Sequence, residues 1–356
     1  MLNQKRIREY GIKIGSMKPG IHNAITDVEG VSVGHVTLSD KGMQTGVTAI
    51  LPHQGNPFKE KLIASSHIIN GFGKTVGTIQ MAELGTLETP IILTNTLSVG
   101  TAVDALIDYA LERNPEIGRT TGTVNPVVAE CNDMFLNDIR AKYVKPNHIF
   151  EAIENASVEF EEGAVGAGRG MLCYSMKGGI GSASRIVELE YGTYMMGVLV
   201  LTNFGSMADF RVNGKPVGKE LQDAMEHRCE MEDKGSVIVV VATDLPVSER
   251  QLNRILKRSV TGLARTGSII TTGSGEIVIG FSTATKIPHD KPSGLLTIPS
   301  IHEEDIDFAF RAVGEATEEA VLNSLITAEE IVGRDGNTRP ALKDLLRKFS
   351  ISLLNE

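Results

Sequence analysis

A serine directly after a glycine, Gly235-Ser236, opens the apolar run 237–242, and other polar side chains stand in the same way at the ends of apolar runs. These are Glu130 with Asn132 and Asp133, then Asn203, then Ser274 with Glu276. The ends of rigid elements hold side chains more reproducibly than loops do, so these are positions where a site could be built. The Gly-Ser pair has a chemistry of its own. An activated hydroxyl can attack the preceding carbonyl, glycine leaves that approach sterically open, and hydrolysis of the resulting ester frees an α-amine on Ser236 itself. Such an amine has an ordinary pKa of about 7.7 to 8.0, so at neutral pH it can act as base for its own hydroxyl. Taken singly, each residue also has a plain structural reading: a serine that starts a strand, a turn at 274–276.

Other chemistries find less support. The eight histidines form no HxH or HxxxH pair and no nearby cysteine or carboxylate completes a ligand set, so no metal site is expected and each reads as a surface or loop histidine. The glycine-rich stretch 163–170, with a second cluster at 177–181, could be a dinucleotide loop only if a strand preceded it and a helix followed. The acidic segment before it and the second cluster after it favour tight turns and close backbone approach instead.

The elements that must position these groups are legible as patterns. Apolar, β-branched runs at 47–51, 90–94, 197–202, 237–242 and 276–281 predict buried strands, several of them apolar on both faces. Helical periodicity spans 99–112, 249–266 and 303–331, the last with a break and an end at Gly333, and a short helix follows Pro340. Ser248 and Gln251 stand at capping-box spacing before the second of these. The interleaving predicts α/β or α+β architecture with sheets between helix layers. The polar segment 211–234 reads as a linker or a long exposed loop.

Composition narrows the partners. A net charge of -9 with no basic cluster argues against nucleic acid and anionic membranes and favours a small or cationic ligand. The first residues carry no apolar run, and no stretch approaches the roughly 20 apolar residues needed to span a bilayer, so a cytoplasmic protein is expected. Cys131, Cys173 and Cys229 are too few and too scattered for a disulfide framework and read as reduced structural thiols.

The motifs taken together resemble the self-processing aminopeptidases, the family of L-aminopeptidase/D-esterase and the β-peptidyl aminopeptidases (peptidase family S58). The resemblance rests on Asn23-Ala-Ile-Thr-Asp27 running to Gly34-His35, Pro90-Ile-Ile-Leu-Thr-Asn95-Thr96, Val128-Ala-Glu130, Lys177-Gly-Gly-Ile-Gly181, Leu199-Val-Leu-Thr-Asn203-Phe-Gly205, Gly235-Ser236 and Gly273-Ser274-Gly275-Glu276. It implies a four-layer αββα sandwich, similar to the N-terminal-nucleophile hydrolases and shared with ornithine acetyltransferase. It also implies one hydrolase domain, 1–356, cut into chains 1–235 and 236–356 that assemble as a homotetramer, with no cofactor.

By the same resemblance Ser236 is the nucleophile, freed by cleavage after Gly235, and Asn203 donates to the oxyanion. Ser274 and Glu276 hold the Ser236 hydroxyl and amine, and Glu130, with Asn132 beside it, receives the free amino group of a small or short peptide substrate. The chain departs from the family pattern at Lys74, where an acidic residue is expected, and at Asn132, in place of an aromatic version of the segment after Glu130. An acyltransferase of the ornithine acetyltransferase type is an alternative, as is an uncut relative that binds small amines or peptides. A nucleotide-dependent oxidoreductase rests on the glycine stretch alone.

Overall fold

Strands without a polar face need cover on both sides, and this chain supplies it by stacking two sheets between two layers of helices. The computed structural model describes residues 4–225 and 235–354. In chain order its strands are β1 (Ser32–Asp40), β2 (Met43–Leu51), β3 (Glu60–Gly71), β4 (Thr86–Leu87), β5 (Ile91–Asn95), β6 (Val127–Cys131), β7 (Leu172–Cys173), β8 (Met176–Lys177), β9 (Ile180–Leu189), β10 (Gly192–Asn203), β11 (Ser236–Thr243), β12 (Gly275–Pro288) and a short pair, β13 (Ile331–Val332) and β14 (Thr338–Arg339). The helices are α1 (Thr78–Leu84), α2 (Val99–Arg113), α3 (Pro146–Glu154), α4 (Val217–Met225), α5 (Glu249–Leu256), α6 (Ser259–Arg265), α7 (Ile306–Ile326) and α8 (Leu342–Phe349).

One sheet has the order β1-β2-β5-β6 and the other β4-β3-β12-β11-β10-β9, with β7 and β8 forming a separate hairpin. Each sheet contains one parallel pair, β5 with β6 and β11 with β12. Alternation along the strands divides the core into three apolar layers, because successive side chains point to opposite faces. Val198, Val200, Val239 and Val241 face Ala309, Val313, Ala316 and Ala320 of α7. Their neighbours Leu199, Leu201, Ile238 and Val240 face Ile91, Leu93, Val127 and Ala129 of the other sheet. Beyond that sheet, Val47, Ala49, Ile92 and Val128 meet Ala102, Leu106, Ile149 and Ile153 of α2 and α3. The result is the four-layer αββα sandwich.

Several expectations change in detail. The helical pattern 249–266 is two helices, with Lys257 and Arg258 between them, although the capping box holds: the Gln251 N–H donates to Ser248 Oγ at 3.2 Å and the Ser248 N–H to Gln251 Oε1 at 3.1 Å. The long pattern 303–331 ends as a helix at Ile326. The first part of 211–234 is neither linker nor exposed loop, because Val217 and Leu221 of α4 are buried with Leu342 and Leu346 of α8. A short apolar stripe among many charges hid it. Residues 226–234, and with them Cys229, lie outside the described residues.

The glycine stretch forms one 3-10 turn, Gly166–Gly168, followed by the β7–β8 hairpin rather than a helix, so the dinucleotide-loop reading fails. Close packing explains its glycines. A Cβ on Gly181 would overlap the Ala320 carbonyl oxygen, which is how α7 lies directly on β9. The histidines are not all at the surface or in loops: His67 sits in β3, and His35 in β1 has its ring nitrogens 2.9 Å from Thr48 Oγ1 and 3.1 Å from the Glu161 carbonyl oxygen. Burial pushes His35 down to about 4, so the ring is neutral at physiological pH. The string Gly30-Val31-Ser32-Val33-Gly34 matches the G-x-S-x-G pattern of serine hydrolases in letters only. Ser32 begins an antiparallel strand and is buried, where the motif requires a sharp strand-to-helix turn.

Two buried polar groups organise the layers. Arg185 of β9 is fully buried and bonds Glu319 at 2.7 Å and Glu315 at 3.2 Å, both on α7, while Arg8 holds Glu319 from the N-terminal segment at 2.6 Å. Asp133 lies in the turn after β6, where its carbonyl accepts from the Leu136 and Asn137 N–H groups and its Oδ1 accepts from Asn137 Nδ2 at 3.0 Å. Burial pushes the Asp133 carboxyl up to about 7, with the Thr45 and Asn137 hydrogen bonds opposing the rise.

Replacing Arg185 by Ala takes the buried cation from Glu315 and leaves Glu319 with Arg8 as its ion-pair partner, a loss of about 3–5 kcal/mol where one partner of a buried ion pair is removed; thermal unfolding at neutral pH should show a large fall in Tm. For Asp133 the folded-state pKa stands above the unfolded value of about 3.9, so stability present at low pH is lost as pH rises toward and past 7. Asp133→Asn lacks this loss, and its Tm relative to the parent should therefore climb between pH 5 and pH 8.5. A Tm difference independent of pH would show that Asp133 does not carry the proton.

Candidate active site

Three neighbouring strands of the six-stranded sheet bring the sequence-derived polar residues to one end of the sandwich. Asn203 ends β10 and Ser236 begins β11, and antiparallel pairing sets them directly opposite each other. On the other side of Ser236, parallel pairing with β12 brings Gly275 alongside, with Ser274 before it and Glu276 after it. Each therefore reaches the same point by register alone. Ser236 and Asn203 are about nine-tenths buried, and Ser274 and Glu276 are more deeply buried still.

The backbone at this point is crowded. A Cβ on Gly235 would overlap the Asn203 carbonyl oxygen, so glycine is the residue that lets the chain enter β11 beside the end of β10. The Gly275 N–H donates to Ser236 Oγ at 3.2 Å, and the Ser274 hydroxyl donates to Glu276 Oε1. Asn70, at the end of β3, donates from its side chain to the Ser274 carbonyl and ties the start of β12 down from its other edge. The Phe72 carbonyl lies so close to Gly275 that a side chain there would strike it.

Glu130 arrives from the opposite sheet. It stands near the end of β6, paired in parallel register with Thr94 of β5, and is buried. Its Oε1 accepts the Lys74 N–H at 2.8 Å and its Oε2 accepts the Thr96 hydroxyl. The loop 72–74 thus lies between the two sheets' contributions, with its Phe72 carbonyl against Gly275 and its Lys74 N–H on Glu130. The Lys74 side chain is exposed and its Nζ lies 4.6 Å from the centre of the Phe72 ring.

The amide of Asn203 is held at both ends. Its Oδ1 accepts the Leu172 N–H at 2.9 Å, and its Nδ2 donates to the Asn132 carbonyl oxygen at 3.1 Å. The latter bond links the two sheets at this end. Asn132 meets the site through its main chain, whereas its side-chain Oδ1 accepts from the Met134 N–H at 3.0 Å. Cys131, one residue earlier, is fully buried, and burial pushes its thiol well above the ordinary range, which suits a packing role.

Sequence reasoning did not assign Thr96, the Lys74 N–H, the Leu172 N–H or Asn70. Thr96 closes the string 90–96 that carries the family resemblance, and Asn70 stands four residues before Lys74, where the chain departs from the family pattern. A main-chain donor has no side-chain type by which to be noticed. Two concavities, of about 670 and 560 Å3, are lined by other residues, among them Arg334 and Tyr143 in one and Arg6 and Phe160 in the other. Among the described residues there is no group of three metal-ligating side chains, and no helix is long and apolar enough to cross a membrane.

Comparison with known proteins agrees across nearly the whole chain. The model of peptidase family S58 matches residues 23–339. The chain is 37% identical over 371 residues to β-peptidyl aminopeptidase BapA of Sphingosinicella microcystinivorans, covering 97% of this chain and 92% of the relative. The crystal structure of the PH0078 protein from Pyrococcus horikoshii OT3 superposes with a TM-score of 0.91 at 52% identity, over 96% of this chain and 98% of that one. The L-aminopeptidase D-Ala-esterase/amidase of Ochrobactrum anthropi, described as a prototype for the serine aminopeptidases and a new variant among the Ntn hydrolase fold, gives 0.87 at 33% identity, over 98% and 99%. The chain belongs to peptidase family S58 and is a serine aminopeptidase or amidase of the N-terminal-nucleophile type.

Proposed function

We propose that the chain cuts itself after Gly235 and then removes N-terminal residues from short peptides, amino acid amides or esters through an ester on Ser236. The observation that carries this reading is the register that sets Ser236 between Asn203 and Gly275, with Gly235 pressed against the Asn203 backbone. In the first reaction Ser236 Oγ attacks the Gly235 carbonyl carbon, the C–N bond to Ser236 breaks, and water hydrolyses the resulting ester. This leaves a carboxylate on Gly235 and a free amine on Ser236.

In the second reaction that amine takes the hydroxyl proton as Oγ attacks the substrate carbonyl, and returns it to the departing amine or alcohol. Of the two N–H groups on Asn203 Nδ2 one is occupied by the Asn132 carbonyl, and the other is the donor for the developing oxyanion. Such a donor contributes about 3–4 kcal/mol in enzymes where one was removed. Water then releases the acyl group. Ser274 and Glu276, joined to each other beside Ser236, hold its hydroxyl and amine in place.

Glu130 has two engaged oxygens that each retain acceptor capacity, and a buried carboxylate at this point selects a substrate with a free ammonium group. Asn132 and the exposed Lys74, where the chain departs from the family pattern, bear on side-chain preference. The buried Cys131 and Cys173 lie outside any disulfide, which accords with a reducing, cytoplasmic setting. Assembly as a homotetramer gains support from the exposed segment 291–300, whose Leu295, Leu296 and Ile298 offer apolar surface to another copy. Esters of D-amino acids join the amides as candidate substrates because an ester is the easier acyl donor at the same nucleophile.

Intact mass of denatured, freshly purified protein should show two chains meeting between Gly235 and Ser236, and Ser236→Ala should give one uncut, inactive chain. A fully active Ser236→Ala variant removes the mechanism. Glu130→Gln should raise KM for an amino acid p-nitroanilide by at least tenfold while an N-acetylated analogue remains an equally poor substrate for both proteins. An unchanged KM would remove Glu130 as the amine's partner.

A further inference from the structure

Lys177 is fully buried and lies in β8, on a hairpin that the proposed chemistry does not use. Its ammonium donates to three main-chain carbonyls, Gly178 at 2.6 Å, Met171 at 2.7 Å and Gly168 at 3.0 Å, so all three of its protons are placed. Burial lowers its proton affinity well below that of an exposed lysine, with the Arg169 charge adding to the effect, and the ring of carbonyl dipoles is what the charge finds in place of water.

The Met171 carbonyl and the Leu172 N–H belong to a single peptide group. Lys177 holds the oxygen of that group, and the nitrogen donates to Asn203 Oδ1. A cation at a peptide oxygen draws electron density from the nitrogen and makes its N–H a stronger donor, as in any polarised hydrogen-bond chain. It also fixes the plane in which that N–H points. The Asn203 amide then has one stable orientation, with Oδ1 toward Leu172 and Nδ2 toward Asn132 and Ser236's end of the sheet.

The hairpin is built to keep this geometry. Its two turn residues, Tyr174 and Ser175, have φ of 50° and 61°, an arrangement that non-glycine residues adopt only when their surroundings compel it. Tyr174 supplies the compulsion. It is fully buried, packs its ring against Phe204 and Phe210, places its hydroxyl 2.8 Å from Thr266 Oγ1 and donates its N–H to the Phe204 carbonyl at 2.7 Å. The hairpin is thereby fastened to the residue that follows Asn203.

We propose that Lys177 is a positioning residue for acyl transfer, acting through the Met171-Leu172 peptide to set the Asn203 amide for the oxyanion. The inference rests on the reading of Asn203 as the oxyanion donor. A double-mutant cycle of Lys177→Met and Asn203→Ala separates the two, with kcat and KM for an amino acid p-nitroanilide expressed per processed chain counted by intact mass. Asn203→Ala alone should lower kcat by about 100- to 1000-fold, and an unchanged kcat would remove the underlying reading instead.

Given that loss, Lys177→Met should lower kcat at least tenfold with KM within twofold of the parent, and should cost less than twofold more in the Asn203→Ala background. Lys177→Gln, which keeps two N–H donors, should recover part of the loss. An equal fall in both backgrounds, or a folded Lys177→Met enzyme with parental kcat, overturns the proposal. If neither Lys177 variant folds, Leu172→Pro deletes the N–H itself with Lys177 left in place. It enters the same cycle with the same two outcomes.

Discussion

The approach of residue 235 to the Asn203 carbonyl sets the conditions for the rest of the site. Only a residue without a Cβ can pass there, and once it does, β11 must begin at Ser236 in antiparallel register with Asn203. Parallel pairing of β11 with β12 then leaves Gly275 as the neighbour of Ser236, and its N–H reaches the hydroxyl without any side chain being needed. A shift of one residue in either pairing would turn Ser236 to the other face of the sheet and bring Val237 to the junction. The geometry is therefore a property of three strands, and the apolar layers on both faces hold those strands in place.

The second sheet has a different task. It brings a carboxylate, Glu130, to the same end of the sandwich, and the loop 72–74 bridges the gap by touching Gly275 with one peptide and Glu130 with the next. On the proposed function, covalent chemistry falls to one sheet and amine recognition to the other. The bond from Asn203 Nδ2 to the Asn132 carbonyl couples them. Stacked sheets suit this division, because their mutual position is fixed by a broad apolar contact in which small displacements would open voids.

Buried charge does much of the fine placement in this protein. Arg185 joins β9 to α7 through Glu315 and Glu319, and Lys177 draws three carbonyls of the glycine-rich turns to one point. Each ion is surrounded by groups that satisfy it, and each would be costly to bury without them. The glycines around Lys177 let the backbone come near enough to serve as the ligand set. The close backbone approach expected of the glycine stretch is, in the fold, a backbone cage around the Lys177 ammonium.

Local pattern was enough for the buried strands at 47–51, 90–94, 197–202, 237–242 and 276–281, for α2 and for the capping box at Ser248, because hydrophobic periodicity and cap chemistry act over a few residues. It was enough, too, to single out Ser236, Asn203, Glu130, Ser274 and Glu276 as polar groups at strand ends. It failed where the deciding partner is distant in the chain: α4 among its charges, the break at Lys257 and the strand position of His35. The sequence by itself determined which residue types stand at the strand ends and that residue 235 carries no side chain. Only the tertiary structure decided that Asn203, Ser236 and Gly275 share one register, that Glu130 comes to them from another sheet, and that the Lys177 ammonium and the Asn203 amide meet at the two ends of the Met171-Leu172 peptide. Strand pairing, main-chain donors and buried ions depend on contacts between residues tens to hundreds of positions apart, and such contacts leave no periodic trace along the chain.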